Sequence, residues 1–215
     1  MKFRIITLSE DRVSGPDLIG QLGLSILIEA NEGNILFDTG QGISASHNAD
    51  VIGFDLTTID RIVLSHGHFD HTGGLREILL RIHREEIEIT GHPDIWESKY
   101  VRSPEDGMDR YVGIPFRRDE LERLGARFNL TRQPVKLTDN IITTGEVPMT
   151  TDFEGLSPKM VVKEGSEWRP DELMDDQAII ITTWYGLIVI LGCAHRGVIN
   201  KAPIAALGYT PLLRP

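Results

Sequence analysis

Cysteine is almost absent: Cys193 stands alone among 215 residues. A single thiol excludes an internal disulfide and fits a reducing, cytoplasmic setting. Long hydrophobic runs are missing as well. No stretch approaches the roughly 18–20 apolar residues of a membrane span. The opening Met1-Lys2-Phe3-Arg4-Ile5-Ile6 is too short an apolar run for a signal peptide and reads as a first strand. Positive charge is in deficit, 22 basic against 32 acidic residues for a net −10, which argues against a general nucleic-acid binder. There is no short-period repeat and no low-complexity segment. No histidine follows His195.

What is present is enough apolar material, 40% of residues, for one sizeable domain with a real core. Strand-like runs recur at Phe3–Leu8, Leu24–Glu29, Asn34–Phe37, Arg61–Leu64, Glu86–Thr90, Asn140–Thr143, Met160–Val162, Ala178–Thr182 and Leu187–Leu191. The last two flank Thr183-Trp184-Tyr185-Gly186, a hairpin signal. Helical patterns fall at about 44–53, 73–84, 118–125 and 197–206. In the second, Leu75, Ile78, Leu79 and Ile82 form an apolar stripe at helical spacing. Many strands with a few amphipathic helices between them predict an α/β sandwich of sheets covered by helices.

The densest chemistry lies in Ser65-His66-Gly67-His68-Phe69-Asp70-His71-Thr72-Gly73-Gly74. Three of seven histidines and one aspartate occupy six positions. Imidazole nitrogen and carboxylate oxygen are the donors a hydrolytic, zinc-type ion prefers. His66 and His68, two apart in an extended chain, project to the same side. Asp70 and His71 follow after a turn and can serve a second ion. Asp70 reads alternatively as a cap for a helix at 73–83, but solvated loops rarely use histidine so densely. Further along, His195 leaves an apolar strand at a Gly-Cys turn and is a further candidate ligand. Cys193 reads equally as a thiolate ligand or as a small buried apolar residue. His92, leaving the strand Glu86–Thr90, is a ligand, a substrate contact or a satisfied loop residue. His47 and His83 fall within helical patterns and read as structural.

Residues 92–136 interrupt the rhythm with four prolines, Pro93, Pro104, Pro115 and Pro134. The expectation is one domain over 1–215, with this segment outside the core as a lid or insertion over the site. Residues 99–136 carry nine basic and six acidic side chains, against 13 and 26 in the remainder. Arg117 and Arg118 there can grip an anionic substrate group, or simply form a solvated helix face.

The loop His66, His68, Asp70, His71 resembles the signature of the metallo-β-lactamase superfamily, and Leu36-Phe37-Asp38-Thr39-Gly40 matches a second superfamily element. Several weaker stretches resemble the dihydropterin-methyl-(ribofuranosyl)aminobenzene phosphate synthase-like branch. They are Gly23-Leu24-Ser25, Gly113-Ile114-Pro115-Phe116, Thr144-Gly145-Glu146-Val147-Pro148, Asp175-Asp176-Gln177 and Gly192-Cys193-Ala194-His195. The resemblance covers about residues 1–200. It implies an αββα sandwich and one or two divalent ions, with zinc, manganese or iron as the metal. His66 and His68 would hold one ion, Asp70 and His71 the second, and Asp38 would steady a ligating histidine through its ring N–H.

It further implies a metal-dependent hydrolase that turns a metal-bound hydroxide on a small, phosphate-bearing or pterin-like substrate, with Asp70 as the catalytic carboxylate. Two departures stand out. Cys193 occupies the place where the superfamily strand ends in Gly-Asp, and the last family histidine is missing, so the chain reads as shortened at its C-terminus. Either the second metal site is incomplete, His92 replaces the lost ligand, or one ion suffices. An open sheet edge then favours a homo-oligomer. The competing expectation is a non-catalytic or single-metal relative that acts in binding or assembly.

Overall fold

The structure, a computed structural model, describes residues 2–103 and 107–207. The C-terminal residues 208–215, part of the tail read above as shortened, lie outside the described residues, as do 104–106 of the expected insertion.

The first sheet has six strands in the order β1 (Phe3–Ser9), β2 (Ser25–Ala30), β3 (Gly33–Phe37), β4 (Ile59–Val63), β5 (Ile87–Gly91) and β8 (Ala126–Leu130). The β1–β2–β3 meander is antiparallel, and β3, β4, β5 and β8 run parallel. A second sheet of three strands joins β13 (Gly186–Leu191), β12 (Ala178–Thr183) and β9 (Ile141–Thr143). The hairpin between β12 and β13 closes at Thr183 opposite Gly186, where the sequence signalled it. A third sheet comprises β11 (Glu167–Pro170), β10 (Met160–Glu164), β6 (Lys99–Arg102) and β7 (Asp109–Tyr111).

Side-chain alternation explains the layering. Along β2 to β4, Leu27, Leu36 and Ile62 face one apolar cluster, while Ile28, Ile35, Phe37 and Val63 face another. The first cluster is completed by helices α1 (Ser44–Val51), α3 (Leu75–Ile82) and α4 (Arg118–Arg123); the second by Ile141, Ile179, Ile181 and Ile190 of the second sheet. Because the sheet is covered on both faces there, Ile26–Ile28 of β2 and Ile35–Phe37 of β3 are continuous apolar runs rather than alternating ones. The α3 stripe is fully used: Leu75, Ile78, Leu79 and Ile82 are all buried, each contributing about 1.5–3 kcal/mol. The helix stops at His83, which takes a left-handed conformation at φ 50°. A last helix, α5 (Val198–Leu207), lies against β13. Among the described residues no helix is long and apolar enough to cross a membrane.

The segment 92–136 divides. Its second half belongs to the core, since Leu121 of α4 and Ala126 of β8 are buried in the first cluster and β8 pairs with β5. Apolar alternation in Ala126–Leu130 places it on the sheet, and the charges around it face solvent. Only the stretch with β6 and β7 joins a separate sheet, pairing through β6 with β10.

Candidate metal centre

Parallel strands β3 and β4 deliver two loops side by side at their carboxyl ends, the usual location for sites on such sheets. Asp38 follows β3 in a left-handed conformation at φ 58° and is completely buried. Its Oδ1 accepts from the Ser65 amide at 2.7 Å, and its Oδ2 from the Ser65 hydroxyl at 2.6 Å. Oδ2 also accepts from His71 Nδ1 at 2.6 Å. With the Ser65 proton spent on Asp38, Ser65 Oγ accepts from His66 Nδ1 at 2.8 Å. This network assigns a proton to Nδ1 in both rings and turns each Nε2 inward.

The loop then enters a short helix, α2 (Phe69–Thr72), which ends at Gly73. Asp70 lies in its first turn and does not cap α3, whose N-cap is Gly74 with no side-chain bond. The cap reading fails because two glycines break the helix into α2 and α3. Gly67 must lack a side chain, because a Cβ there would come within 2.3 Å of the Ile95 carbonyl.

Strand β13 delivers a third loop, the second to carry candidate ligands. It passes through Cys193, turns at Ala194 (φ 53°) and presents His195. His66, His68 and His195 converge with their donor atoms within 4.8 Å of one another, and so do those of His66, His71 and Cys193. His66 Nε2 and His68 Nδ1 are 3.0 Å apart, close to the roughly 3.3 Å between donors on a tetrahedral ion with about 2.0 Å arms. His195 Nε2 and His68 Nε2 are buried without a hydrogen-bond partner among the described residues. Unsatisfied buried ring nitrogens in a cluster of four imidazoles and a thiol are costly unless a cation takes their lone pairs. The donor set therefore fits a divalent ion of zinc type.

Charge within the cluster is polarised. Burial, reinforced by His71, His68 and His195, holds His66 well below the usual histidine range. Burial and then His195 push His68 down to about 3. For His71 burial opposes protonation, but the touching Asp38 carboxylate and then Cys193 outweigh it, raising it to about 11. Burial lifts the Cys193 thiol, yet hydrogen bonds with His195 and His71 bring it below the ordinary cysteine value. His195 is raised in turn, its bond to Cys193 overcoming burial. Without a cation, the opposite shifts of His71 and Cys193 favour an imidazolium–thiolate pair, Nε2 to Sγ at 3.1 Å.

Other candidates fall elsewhere. Asp70 belongs to neither triplet of donors, but its Oδ2 lies 3.5 Å from His71 Nε2 with the side chain partly open to solvent. Cys193 as a whole residue is open to solvent, which removes its reading as a buried apolar residue, while its sulfur is sheltered against His71. His92 is not brought to the cluster. Its Nε2 pairs with Glu146 at 2.9 Å and its Nδ1 accepts from the Asp94 amide, so both nitrogens serve a loop. His47 binds the Asp17 carbonyl at 2.7 Å. Arg117 and Arg118 are answered by Asp119 and Glu122 on exposed α4, the solvated helix face rather than an anion grip.

Sequence reasoning gave no role to the buried groups packed behind the centre. Lys99 of β6, fully buried, bonds Asp171 and Asp175 at 3.0 Å each. Lys201 of α5 pairs with Asp176 at 2.7 Å. The one available signal was the acidic pair Asp175-Asp176 immediately before an apolar strand.

A family model described as the metallo-beta-lactamase superfamily matches residues 19–146. A 7,8-dihydropterin-6-methyl-4-(beta-D-ribofuranosyl)-aminobenzene-5'-phosphate synthase of Methanocaldococcus jannaschii is 34% identical over 206 residues, which is 92% of this chain and 69% of that protein. An uncharacterized protein of the same organism is 32% identical, covering 91% of this chain and 72% of its own length. Among solved structures, one described as a metal-dependent hydrolase of the beta-lactamase superfamily superposes with a TM-score of 0.78 at 26% identity, over 97% of this chain and 73% of that one.

Proposed function

Because the chain belongs to the metallo-beta-lactamase superfamily, we propose that it is a metal-dependent hydrolase acting on a small, phosphate-bearing or pterin-like molecule. The observation that carries the reading is the convergence of one donor atom each from His66, His68 and His195 within 4.8 Å of one another, in a cluster where a ring nitrogen of His68 and one of His195 are buried and unpartnered. His66, His68 and His195 would hold one divalent ion, with zinc favoured by the all-imidazole donors. His71 and Cys193, with Asp70 beside them, would hold a second. A bound ion supplies Lewis acidity, which acidifies water and steadies negative charge on a substrate oxygen.

The chain's own residues do the rest. Asp38 fixes the ring of His71 directly and that of His66 through Ser65, so both Nε2 atoms are aimed at the centre; His66 offers its lone pair at once, and His71 offers its own when the proton it shares with Cys193 leaves. Asp70 Oδ2, partly exposed beside His71, takes the proton released when water attacks the substrate. Burial of His66 and His68 keeps both neutral through the working pH range.

The substrate class comes from the Methanocaldococcus jannaschii relative, whose name describes a pterin joined to a ribofuranosyl aminobenzene phosphate. That relative is a synthase, so the assay must run in both directions. Purified protein is analysed for zinc, manganese and iron, then tested on ester, lactone, thioester and phosphodiester substrates and for formation of the pterin-linked product. Stoichiometric metal and turnover, both lost in a His66→Ala/His68→Ala variant, support the reading. Background metal in both proteins defeats it.

A further inference from the structure

Three consecutive residues behind the centre have no part in the chemistry above. Asp175, Asp176 and Gln177 lead into β12 and are 0%, 0% and 3% exposed. Each holds the backbone of a ligand-bearing loop. Asp175 Oδ2 accepts from the Gly67 amide, between His66 and His68, at 2.8 Å. Asp176 Oδ2 accepts from the Arg196 amide, next to His195, at 2.7 Å. Gln177 donates its amide to the Ser65 carbonyl and its side-chain Nε2 to the Leu64 carbonyl, both at 2.9 Å. The two carboxylates divide their oxygens in the same way. One oxygen takes a loop amide and the other faces a buried lysine: Oδ1 of Asp175 accepts from Lys99, and Oδ1 of Asp176 forms an ion pair with Lys201 at 2.7 Å without an aligned hydrogen bond.

We infer that Asp175-Asp176-Gln177 is a clasp that sets the distance between the His66–His71 loop and the Cys193–His195 loop. Asp176 is the positioning residue for the second loop. What the clasp positions rests on the cluster being a cation site; that it holds the two loops together does not. The two loops come from different sheets, β4 in the first and β13 in the second, and a cation shared by His66, His68 and His195 needs donors from both. Three adjacent residues reach both loops at once, so a shift of either loop is transmitted through one rigid stretch of chain. Lys99 and Lys201 neutralise the aspartates without touching the loop amides. This separates the part the charges play from the part the hydrogen bonds play, and it makes the clasp testable.

The test uses Lys201→Met as background, so that no buried ammonium loses its partner. In that background Asp176→Asn keeps an acceptor for the Arg196 amide, whereas Asp176→Ala removes it. Metal-free protein is titrated with Co²⁺ against a competing chelator, and its visible d–d absorption, which follows coordination number and geometry, is recorded. The Asn form is expected to bind within threefold of the unaltered protein with the same spectrum. The Ala form is expected to bind at least about tenfold more weakly with altered bands. Equal binding and spectra for the two forms overturn the clasp, as does an Asn form as impaired as the Ala form. Amide hydrogen exchange of the unaltered, metal-free protein gives a separate reading. The Gly67 and Arg196 amides should exchange as slowly as Ile180 in β12, and loop-like exchange at both overturns the clasp. If the unaltered protein takes up no cobalt while those amides stay protected, the cation reading falls and the clasp stands.

Discussion

Replacing Asp38 by asparagine tests the hydrogen-bond network beneath the ligands. Asparagine tolerates the left-handed backbone at φ 58°, so the substitution adds no strain. It offers one acceptor where the carboxylate served three donors: the Ser65 amide, the Ser65 hydroxyl and His71 Nδ1. If its oxygen stays with the Ser65 amide, its NH₂ faces Ser65 Oγ and His71. His71 then loses a charge-assisted bond in a buried place, and the ring is free to put its proton on Nε2. Losing such a bond and leaving a partner unsatisfied costs about 2–4 kcal/mol in metal-free protein. At about 2–4 °C per kcal/mol for a chain of this size, melting falls by about 5–15 °C. Metal affinity should drop about 10–100-fold, because the wrong nitrogen carries the proton.

The pH profile gives a second reading. The folded value of His71 is raised to about 11, above the unfolded value near 6.5. Its contribution is therefore fully present below about pH 6.5 and is lost as pH climbs toward 11. Metal-free protein should lose stability steadily from pH 7 to 10, and Asp38→Asn should flatten that slope. Urea unfolding at several pH values measures both quantities. A variant with unchanged midpoint, unchanged slope and metal affinity within twofold would refute the network argument.

Metal loading at pH 7.5 should release about one proton from the His71–Cys193 pair, since a cation replaces the proton shared between them; calorimetry in buffers of different ionisation enthalpy counts it, and a value of zero contradicts the ion-pair assignment. Gly192→Ala would place a methyl 2.3 Å from Ser65 Oγ, forcing that hydroxyl off Asp38. It should cost about 1–3 kcal/mol, and an unchanged melting temperature would show that the loop yields freely. Chelation of metal-loaded protein should lower its melting temperature, because removing ligand at about a thousandfold over Kd forfeits about 4 kcal/mol; thermal shift with and without chelator reads it. Leu79→Ala, emptying a buried site on α3, should destabilise by about 2–5 kcal/mol without altering metal content, as checked by denaturation and elemental analysis.

The ligand loop was legible because histidine is scarce and expensive to bury, so three within six positions carry a chemical message independent of fold. His195 was legible from its place just beyond an apolar strand. The α3 stripe and the β12–β13 hairpin were legible because both are local patterns. Other features depend on partners distant in sequence. Lys99 begins β6 with Lys-Tyr-Val-Arg, a pattern that reads as solvent-facing, and only Asp171 and Asp175, far along the chain, explain its burial. Strands β7 and β11 span three and four residues, too short for alternation to register. Strand β8 was hidden by the charged residues around it, although Ala126 sits in the core. His92 resembled a ligand because it too leaves a strand, and its true partner, Glu146, lies 54 positions on.

The wide separation of the two ligand loops matters during synthesis. His71 and Cys193 lie 122 positions apart, and Gly67 and Asp175 lie 108 apart. As the chain leaves the ribosome, the amino-terminal histidines emerge long before anything exists to complete their cage. Until the β12–β13 hairpin has been translated and folded back, the nascent polypeptide presents bare imidazoles able to capture stray cations in the wrong geometry. With the proposed ion, correct loading would wait until the β12–β13 hairpin docks, and a bound cation would report that the two distant loops have met.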